Sequence, residues 1–209
     1  MTNEHVIPEK IIRGKENIFI HYGREKKSLK INLNTSQRYI KDFKYMNIDI
    51  TIVEILPNDK IDDDLFLYPE NCNVNNLINE DIYIVQFPFG GNMCYSKGKI
   101  INFDNSRYEI TYNSSAEIGS SGSPICLKNY SKVIGIHKEG NANVLIFENY
   151  GNLIYPIIDK IHYFRKNNPM NNPLNQQNRL VLNRKPIYND NNVQNPFFHT
   201  RNNFNLNSG

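Results

Sequence analysis

The sequence predicts an all-β protein that ends its folded part with a single helix. Short apolar or alternating segments recur through the first three-quarters of the chain, and turns rich in Asn, Gly and Pro separate them. These segments are rich in Ile, Val, Tyr and Phe, which favour strands over helices. Only one later segment has apolar residues at the 3–4 spacing of a helix.

The strands are predicted from alternation or from β-branched runs between turn residues. A polar stretch over 57–80 is predicted to link two β-domains, and Pro88–Gly91 is predicted to be a turn. The segments predicted to be strands are Asn17–Tyr22, Ser28–Leu33, Asp49–Leu56, Ile82–Phe87, the hairpin of Lys97–Ile101 with Tyr108–Tyr112, Lys132–His137 and Asn143–Glu148.

The one predicted helix covers residues 155–166. Pro156 suits the first helical position, where its missing N–H costs no hydrogen bond. Ile157, Ile158 and Ile161 then recur at helical spacing. Residues 167–209 are rich in Asn and Pro, and this composition predicts a disordered tail.

Charge and hydropathy exclude two classes of function. The net charge is +3, and the one short basic cluster is Arg24–Lys27, so no basic groove for nucleic acid is expected. No apolar run approaches the ~20 residues of a membrane span. A monomer is expected, and the cellular compartment stays open.

No cofactor or metal site is predicted. Cys72, Cys94 and Cys126 have no metal-ligand spacing with histidine, and Cys126 is expected to be a buried thiol. The acidic run Asp62–Asp64 does not have the spacing of a calcium loop and is interpreted as a solvated turn.

Three segments carry residues of a kind used for acyl transfer. Gly119–Pro124 holds Ser121 between small residues, which permits a sharp turn with exposed N–H groups. His5 and Asp49 lie upstream, about as far apart as the ~45 residues between the same residue types in the chymotrypsin double β-barrel. The chain order His, Asp, Ser is also the order of that fold. The shorter interval from Asp49 to Ser121 predicts trimmed loops.

These segments resemble those of the trypsin-like serine proteases, and in particular the glutamyl endopeptidases. The resemblance rests on Thr2–Ile7, Asp49–Val53, Gly119–Pro124 and Val133–His137, and it extends over about residues 1–165. It implies a chymotrypsin-like double β-barrel. Residues 1–70 would be the remainder of the first barrel, and residues 71–154 the second.

The resemblance also implies a serine endopeptidase that acts on peptide or protein substrates. Ser121 would be the nucleophile, His5 the general base and Asp49 the residue that orients His5. The N–H groups of Gly119 and Ser121 would form the oxyanion hole. Ser120 occupies the place of an aspartate that takes part in zymogen activation of animal trypsins, so that switch is not expected.

Substrate preference is predicted from the walls of the primary pocket, Ser115, Ala116 and His137. Glutamate-selective relatives have a histidine at the position of His137, which favours acidic residues before the cleaved bond. They have a hydroxyl residue where this chain has Ala116, for which Ser114 or Ser115 would have to compensate. No aspartate stands where trypsin uses one to bind Lys or Arg.

One feature of the N-terminal region favours a second hypothesis. Relatives place about three strands before the histidine, whereas here Met1 precedes His5 by only four positions. The first barrel is therefore expected to be incomplete, through truncation or a misassigned start. The alternative is a non-catalytic protease homologue or inactive fragment that binds partners.

Overall fold

The structure is a computed structural model that describes residues 1–22, 27–62, 65–70, 76–128, 132–141 and 148–167. Residues Met1–Phe164 form one compact unit. The predicted tail and the predicted strand at 143–148 lie almost wholly outside the described residues.

Ten strands and two α-helices follow one another along the described residues, with short 3-10 helices at Lys44–Met46, Pro57–Asp59 and Pro88–Gly90. The fold is mostly β, as predicted. The elements are α1 (Glu9–Arg13), β1 (Asn17–Tyr22), β2 (Lys27–Asn32), β3 (Ile40–Asp42), β4 (Thr51–Val53), β5 (Asp81–Gln86), β6 (Cys94–Asp104), β7 (Glu109–Tyr112), β8 (Pro124–Leu127), β9 (Lys132–Gly140), β10 (Asn149–Leu153) and α2 (Tyr155–Asn167).

The last six strands close into an antiparallel barrel in the order β10-β7-β6-β5-β8-β9. Closure leaves none of these strands with an unpaired edge. Alternation along β5 turns Ile82 and Ile84 inward, and both are completely buried. They belong to the barrel core, which also contains Ile100, Ile110 and Ile134.

The N-terminal third forms two smaller sheets among its described residues. β1 pairs with β2 and β3 pairs with β4, both antiparallel. The strand predicted over Asp49–Leu56 was too long, because β4 has only three residues and its partner β3 is equally short. In the described residues these sheets do not close a second barrel.

A second hydrophobic core joins the N-terminal sheets to the barrel. Ile48 and Ile50 are completely buried on either side of Asp49, and they share one cluster with Cys126 and Ile136 of the barrel wall. Ile157 of α2 belongs to the same cluster. This packing holds Asp49 close to the barrel strands that flank Ser121.

Candidate active site

The N-terminal segment that carries His5 is attached to the strand that follows Asp49. The backbones of Thr2 and Thr51 exchange two hydrogen bonds, of 3.0 and 2.8 Å. The side-chain amide of Asn3 donates to the Asp49 carbonyl at 3.0 Å, and the Thr51 hydroxyl donates to the Ile7 carbonyl at 3.0 Å. These contacts bring His5 against Asp49 although 44 residues separate them.

His5, Asp49 and Ser121 form one hydrogen-bonded chain. His5 Nδ1 lies 2.6 Å from Asp49 Oδ2, and the His5 backbone N–H donates to Asp49 Oδ1 at 3.0 Å. His5 Nε2 lies 2.9 Å from Ser121 Oγ. Because the carboxylate can only accept, Nδ1 carries the proton in neutral His5, and Nε2 is free to accept the Ser121 proton.

Ser121 Oγ has a second neighbour, the Lys138 carbonyl, at 3.4 Å. That distance is long for a hydroxyl hydrogen bond, so the contact with His5 dominates. The His5 side chain is 48% exposed and Asp49 only 17%. The imidazole thus faces the cleft, while the carboxylate behind it is largely shielded from water.

The turn that presents Ser121 depends on two glycines with positive φ. Gly119 has φ +90° and Gly122 has φ +85°, values that L side chains rarely adopt. A Cβ on Gly122 would also lie only 2.7 Å from the Thr2 hydroxyl. The absence of this Cβ lets the N-terminal segment closely approach the loop of residues 117–124, hereafter the serine loop.

The same turn is fastened to strand β9. The Gly122 N–H donates to the His137 carbonyl at 2.9 Å, and the His137 N–H donates to the Ser123 carbonyl at 2.8 Å. Ser121 therefore lies on a backbone fixed by the barrel wall rather than on a free loop.

Two backbone N–H groups in this turn are unpaired. Within the described part of the chain, the N–H groups of Gly119 and Ser121 donate to no carbonyl or side chain. The Ile118 carbonyl accepts from the Phe89 N–H at 2.8 Å. Since C=O and N–H point in opposite directions across a trans peptide, this contact turns the Gly119 N–H away from Phe89.

A cleft of about 830 Å³ opens over these residues, a size typical of ligand sites. His5, Asp49, Ser121 and two of the predicted pocket residues, Ala116 and His137, line this cleft. The third predicted pocket residue, Ser115, is not among the residues that line it. The Ser115 carbonyl instead accepts hydrogen bonds from Gln86 and Ser96.

His137 is buried at the wall of the cleft, with only 4% of its surface exposed. Burial, aided by repulsion from His5 when that ring is protonated and opposed by Glu139, lowers the pKa of His137 to about 4. The imidazole is therefore uncharged at neutral pH.

The hydroxyl of Tyr112 lies 2.5 Å from His137 Nδ1. Burial raises the pKa of Tyr112, so its hydroxyl keeps its proton. A buried O–H without an acceptor is costly, and donation to Nδ1 removes that cost. This arrangement leaves the hydrogen of the imidazole on Nε2.

Two lysines that line the cleft, Lys44 and Lys138, are held in ion pairs. Lys44 lies 3.5 Å from Glu4, and Lys138 lies 3.0 Å from Glu109 and 2.8 Å from Glu139. Burial alone would lower the pKa of Lys138, but its two glutamate partners outweigh that effect and raise it. Both lysines thus have carboxylate partners, and neither stands alone to attract a further carboxylate.

Several residues that shape this site were not predicted from the sequence. Asn3, Thr51 and Tyr112 act through contacts between distant segments, so no local pattern indicates them. Gln86 is a partial exception, because it falls on the inward, apolar face of β5 and is only 3% exposed. A polar residue at an inward position of a strand was the signal that could have been used.

The described residues contain no group of three or more His, Cys, Asp or Glu side chains that could hold a metal ion. In the same part of the chain, no helix is both long enough and apolar enough to cross a membrane.

The folds of solved proteases are similar at low sequence identity. The Rv3671c protease of M. tuberculosis, in an inactive form, has 16% identity and a TM-score of 0.53 over 78% of this chain and 76% of its own. A serine endoprotease from Yersinia pestis has 14% identity and a TM-score of 0.56 over 79% of this chain and 53% of its own.

The HtrA-type protease AlgW, solved with a decapeptide, has 12% identity and a TM-score of 0.55. It matches over 79% of this chain and 47% of its own. At these identities the likeness shows the fold alone. No curated protein sequence matches the chain. The sequence model of the trypsin-like peptidase domain matches residues 1–136, and the chain therefore belongs to this family.

Proposed function

We propose that this chain is a serine endopeptidase in which Ser121, His5 and Asp49 form the catalytic triad. The observation that carries the proposal is the continuous contact from Asp49 through His5 to Ser121, at 2.6 and 2.9 Å. Both distances lie within hydrogen-bond reach, as a nucleophile, its base and an orienting acid require.

The reaction begins when Ser121 Oγ attacks the carbonyl carbon of the scissile peptide. His5 Nε2 takes the hydroxyl proton and later gives it to the leaving amine. Asp49 accepts the Nδ1 hydrogen bond, which fixes the tautomer and stabilises the imidazolium that forms. Water then hydrolyses the acyl-enzyme by the same proton route in reverse.

The N–H groups of Gly119 and Ser121 bind the oxyanion of the tetrahedral intermediate. Neither N–H group has an acceptor among the residues that the structure describes, which supports this role, because donors that are already paired could not stabilise new charge without reorganisation. Loss of a single such donor costs roughly 2.7–4 kcal/mol in other acyl-transfer enzymes.

We assign His137 the recognition of a side-chain oxygen in the residue before the cleaved bond. With Tyr112 donating to Nδ1, the Nε2–H of His137 is the donor available to such an oxygen. Its position in the cleft wall next to Ser121 supports the predicted preference for acidic residues. Because the imidazole is uncharged, the bond to glutamate is a charge-assisted hydrogen bond rather than an ion pair.

Peptide cleavage tests both parts of this proposal. The wild type should cleave a peptide with Glu before the scissile bond, whereas Ser121→Ala and His5→Ala should lower kcat by at least about 10³-fold. The matched control is His162→Ala, which removes an exposed histidine on α2 and should retain full activity. If the wild type cleaved the peptide no faster than Ser121→Ala, the assignment of Ser121 as the nucleophile would be refuted and a non-catalytic homologue would be favoured.

Otherwise identical peptides with Gln, Ala or Lys before the bond test the preference. Glu is expected to give the highest kcat/KM and Lys the lowest. His137→Phe should abolish the difference between Glu and Ala while leaving cleavage of the Ala peptide within a few-fold. A wild type that prefers Lys or Ala would overturn the role of His137 without affecting the triad.

A further inference from the structure

Gln86 is a buried polar residue that the chemistry above does not use. It is the last residue of β5 and points inward on the same face of the strand as Ile82 and Ile84. Its side chain is nevertheless fully hydrogen-bonded. Its Nε2 donates to the Ser115 carbonyl at 3.2 Å and lies 3.3 Å from Ser96 Oγ.

The remaining polar atom of Gln86 faces the serine loop. Ser120, which is only 1% exposed, donates its hydroxyl to Gln86 Oε1 at 2.6 Å. The Ser120 hydroxyl also accepts from the Glu117 N–H at 3.3 Å. Because the amide nitrogen of Gln86 is bound on the other side, the amide cannot flip without breaking these bonds.

Ser120 lies between the two residues whose N–H groups are the proposed oxyanion donors. A rigid anchor at this position restricts the peptide units on both sides of it. The segment that follows Gln86 holds the loop a second time, through the Phe89 N–H and the Ile118 carbonyl.

Phe89 makes that second contact in an uncommon conformation. Its φ of 53° and ψ of 24° lie in the left-handed region, which is unfavourable for a residue other than glycine. The segment 86–91 thus binds the serine loop at two points. The Gln86 side chain bonds the Ser120 hydroxyl, and the Phe89 backbone bonds the Ile118 carbonyl.

We propose that Gln86 is a positioning residue that acts on the serine loop. Through the Ser120 hydroxyl it holds this loop in the conformation that presents the Gly119 and Ser121 N–H groups to substrate. The inference rests on the proposed function. A hydrogen bond between two uncharged side chains, Ser120 and Gln86, therefore fixes the serine loop. Gln86 itself does not touch the substrate.

Kinetics of Gln86→Met and Ser120→Ala on the full chain test the proposal. Each substitution removes the bond and leaves the nucleophile and the cleft lining in place. Each should lower kcat by about 10- to 100-fold with KM changed less than 3-fold, since the loss falls on the oxyanion and not on ground-state binding. Affinity for a peptide aldehyde, which forms a tetrahedral adduct with the serine, should fall by a similar factor.

The double variant gives a second, independent result. If Gln86 acts through Ser120, Gln86→Met/Ser120→Ala should be no slower than the worse single variant, whereas independent effects would multiply. Ser120→Thr, which keeps the hydroxyl, should restore most of kcat relative to Ser120→Ala.

The matched control is Ser96→Ala. It removes the 2.6 Å bond to the Ser115 carbonyl and the 3.3 Å contact with Gln86 Nε2, but it leaves the bond between Ser120 and Gln86 Oε1 in place. It should lower the thermal midpoint as the other variants do, yet change kcat by less than 2-fold. An equal loss of kcat in Ser96→Ala, or full kcat in Gln86→Met, would overturn the inference while wild-type cleavage still supports the proposed function. A folded wild type that neither cleaves nor binds the aldehyde would overturn both.

Discussion

Stability should fall in mild acid because His137 is buried without charge. Its pKa of about 4 lies below the ~6.5 of an unfolded histidine, so between these values the unfolded chain binds a proton that the folded chain does not. The contribution to stability is complete above pH 6.5 and is lost as the pH falls towards 4. The loss amounts to about 2 kcal/mol between pH 8 and pH 5, and about 3 kcal/mol in all.

The perturbation is His137→Gln, which keeps a polar side chain at the position and cannot titrate. The free energy of unfolding would be measured by urea denaturation at half-unit intervals from pH 8 to pH 5. The variant is expected to be less stable than the wild type at pH 8, but its stability should depend less on pH by about 2 kcal/mol over this range. The change in slope, rather than the absolute stability, is the test.

Tyr112→Phe tests whether burial, rather than the hydrogen bond to Tyr112, causes the pH dependence of stability. It removes the hydroxyl at Nδ1 but leaves His137 buried, and burial is the main cause of the lowered pKa. This variant should therefore lose stability at every pH and retain the wild-type slope. Parallel curves for the wild type and His137→Gln would refute the reasoning, because His137 would then titrate alike in the folded and unfolded states.

Three further predictions concern stability and accessibility. Asp59→Asn should lower the free energy of unfolding in urea by about 3 kcal/mol, because it leaves the buried Arg38 guanidinium without a counter-charge. Burial alone would raise the pKa of Asp59, but hydrogen bonds from Arg38 and a backbone N–H hold it low, so the stability difference between wild type and variant should shrink below about pH 4. Gly122→Ala should lower both kcat and the thermal midpoint, since its φ of +85° and the close approach of the N-terminal segment exclude a Cβ; wild-type values for both would contradict this. Iodoacetamide at pH 8 should modify the exposed Cys94 in the native state and Cys126 only after unfolding, as read by peptide mass mapping. The reason is that burial, opposed by a hydrogen bond with Tyr83, raises the pKa of Cys126 to about 11.

The sequence predicted the parts of this molecule that local chemistry determines. Glycines around Ser121 indicated a turn, and the structure has positive φ at Gly119 and Gly122. Alternation predicted β5 almost to the residue, and Pro156 with the isoleucines after it predicted α2. His5, Asp49 and Ser121 were predicted from their order and surroundings, and the structure brings the three side chains into contact.

Other features depend on pairing between distant segments and left no local pattern. α1 has five residues, too few to establish a helical period. The strand Asp49–Leu56 was predicted too long because β-branched residues mark burial as well as strands, and Ile50 is completely buried although it lies outside β4. β10 was not predicted, since it contains two asparagines and a glycine, which are rare in strands. The contact between Gln86 and Ser120 spans 34 positions and has no periodic signature.

The most direct test of the central claim is the reaction of the purified chain with a fluorophosphonate, followed by intact mass and peptide mapping. The account predicts one adduct, located on Ser121, and its disappearance in both Ser121→Ala and His5→Ala. A folded wild type that stays unmodified, or an adduct on another residue that persists in His5→Ala, would contradict the assignment of Ser121 as a nucleophile activated by His5.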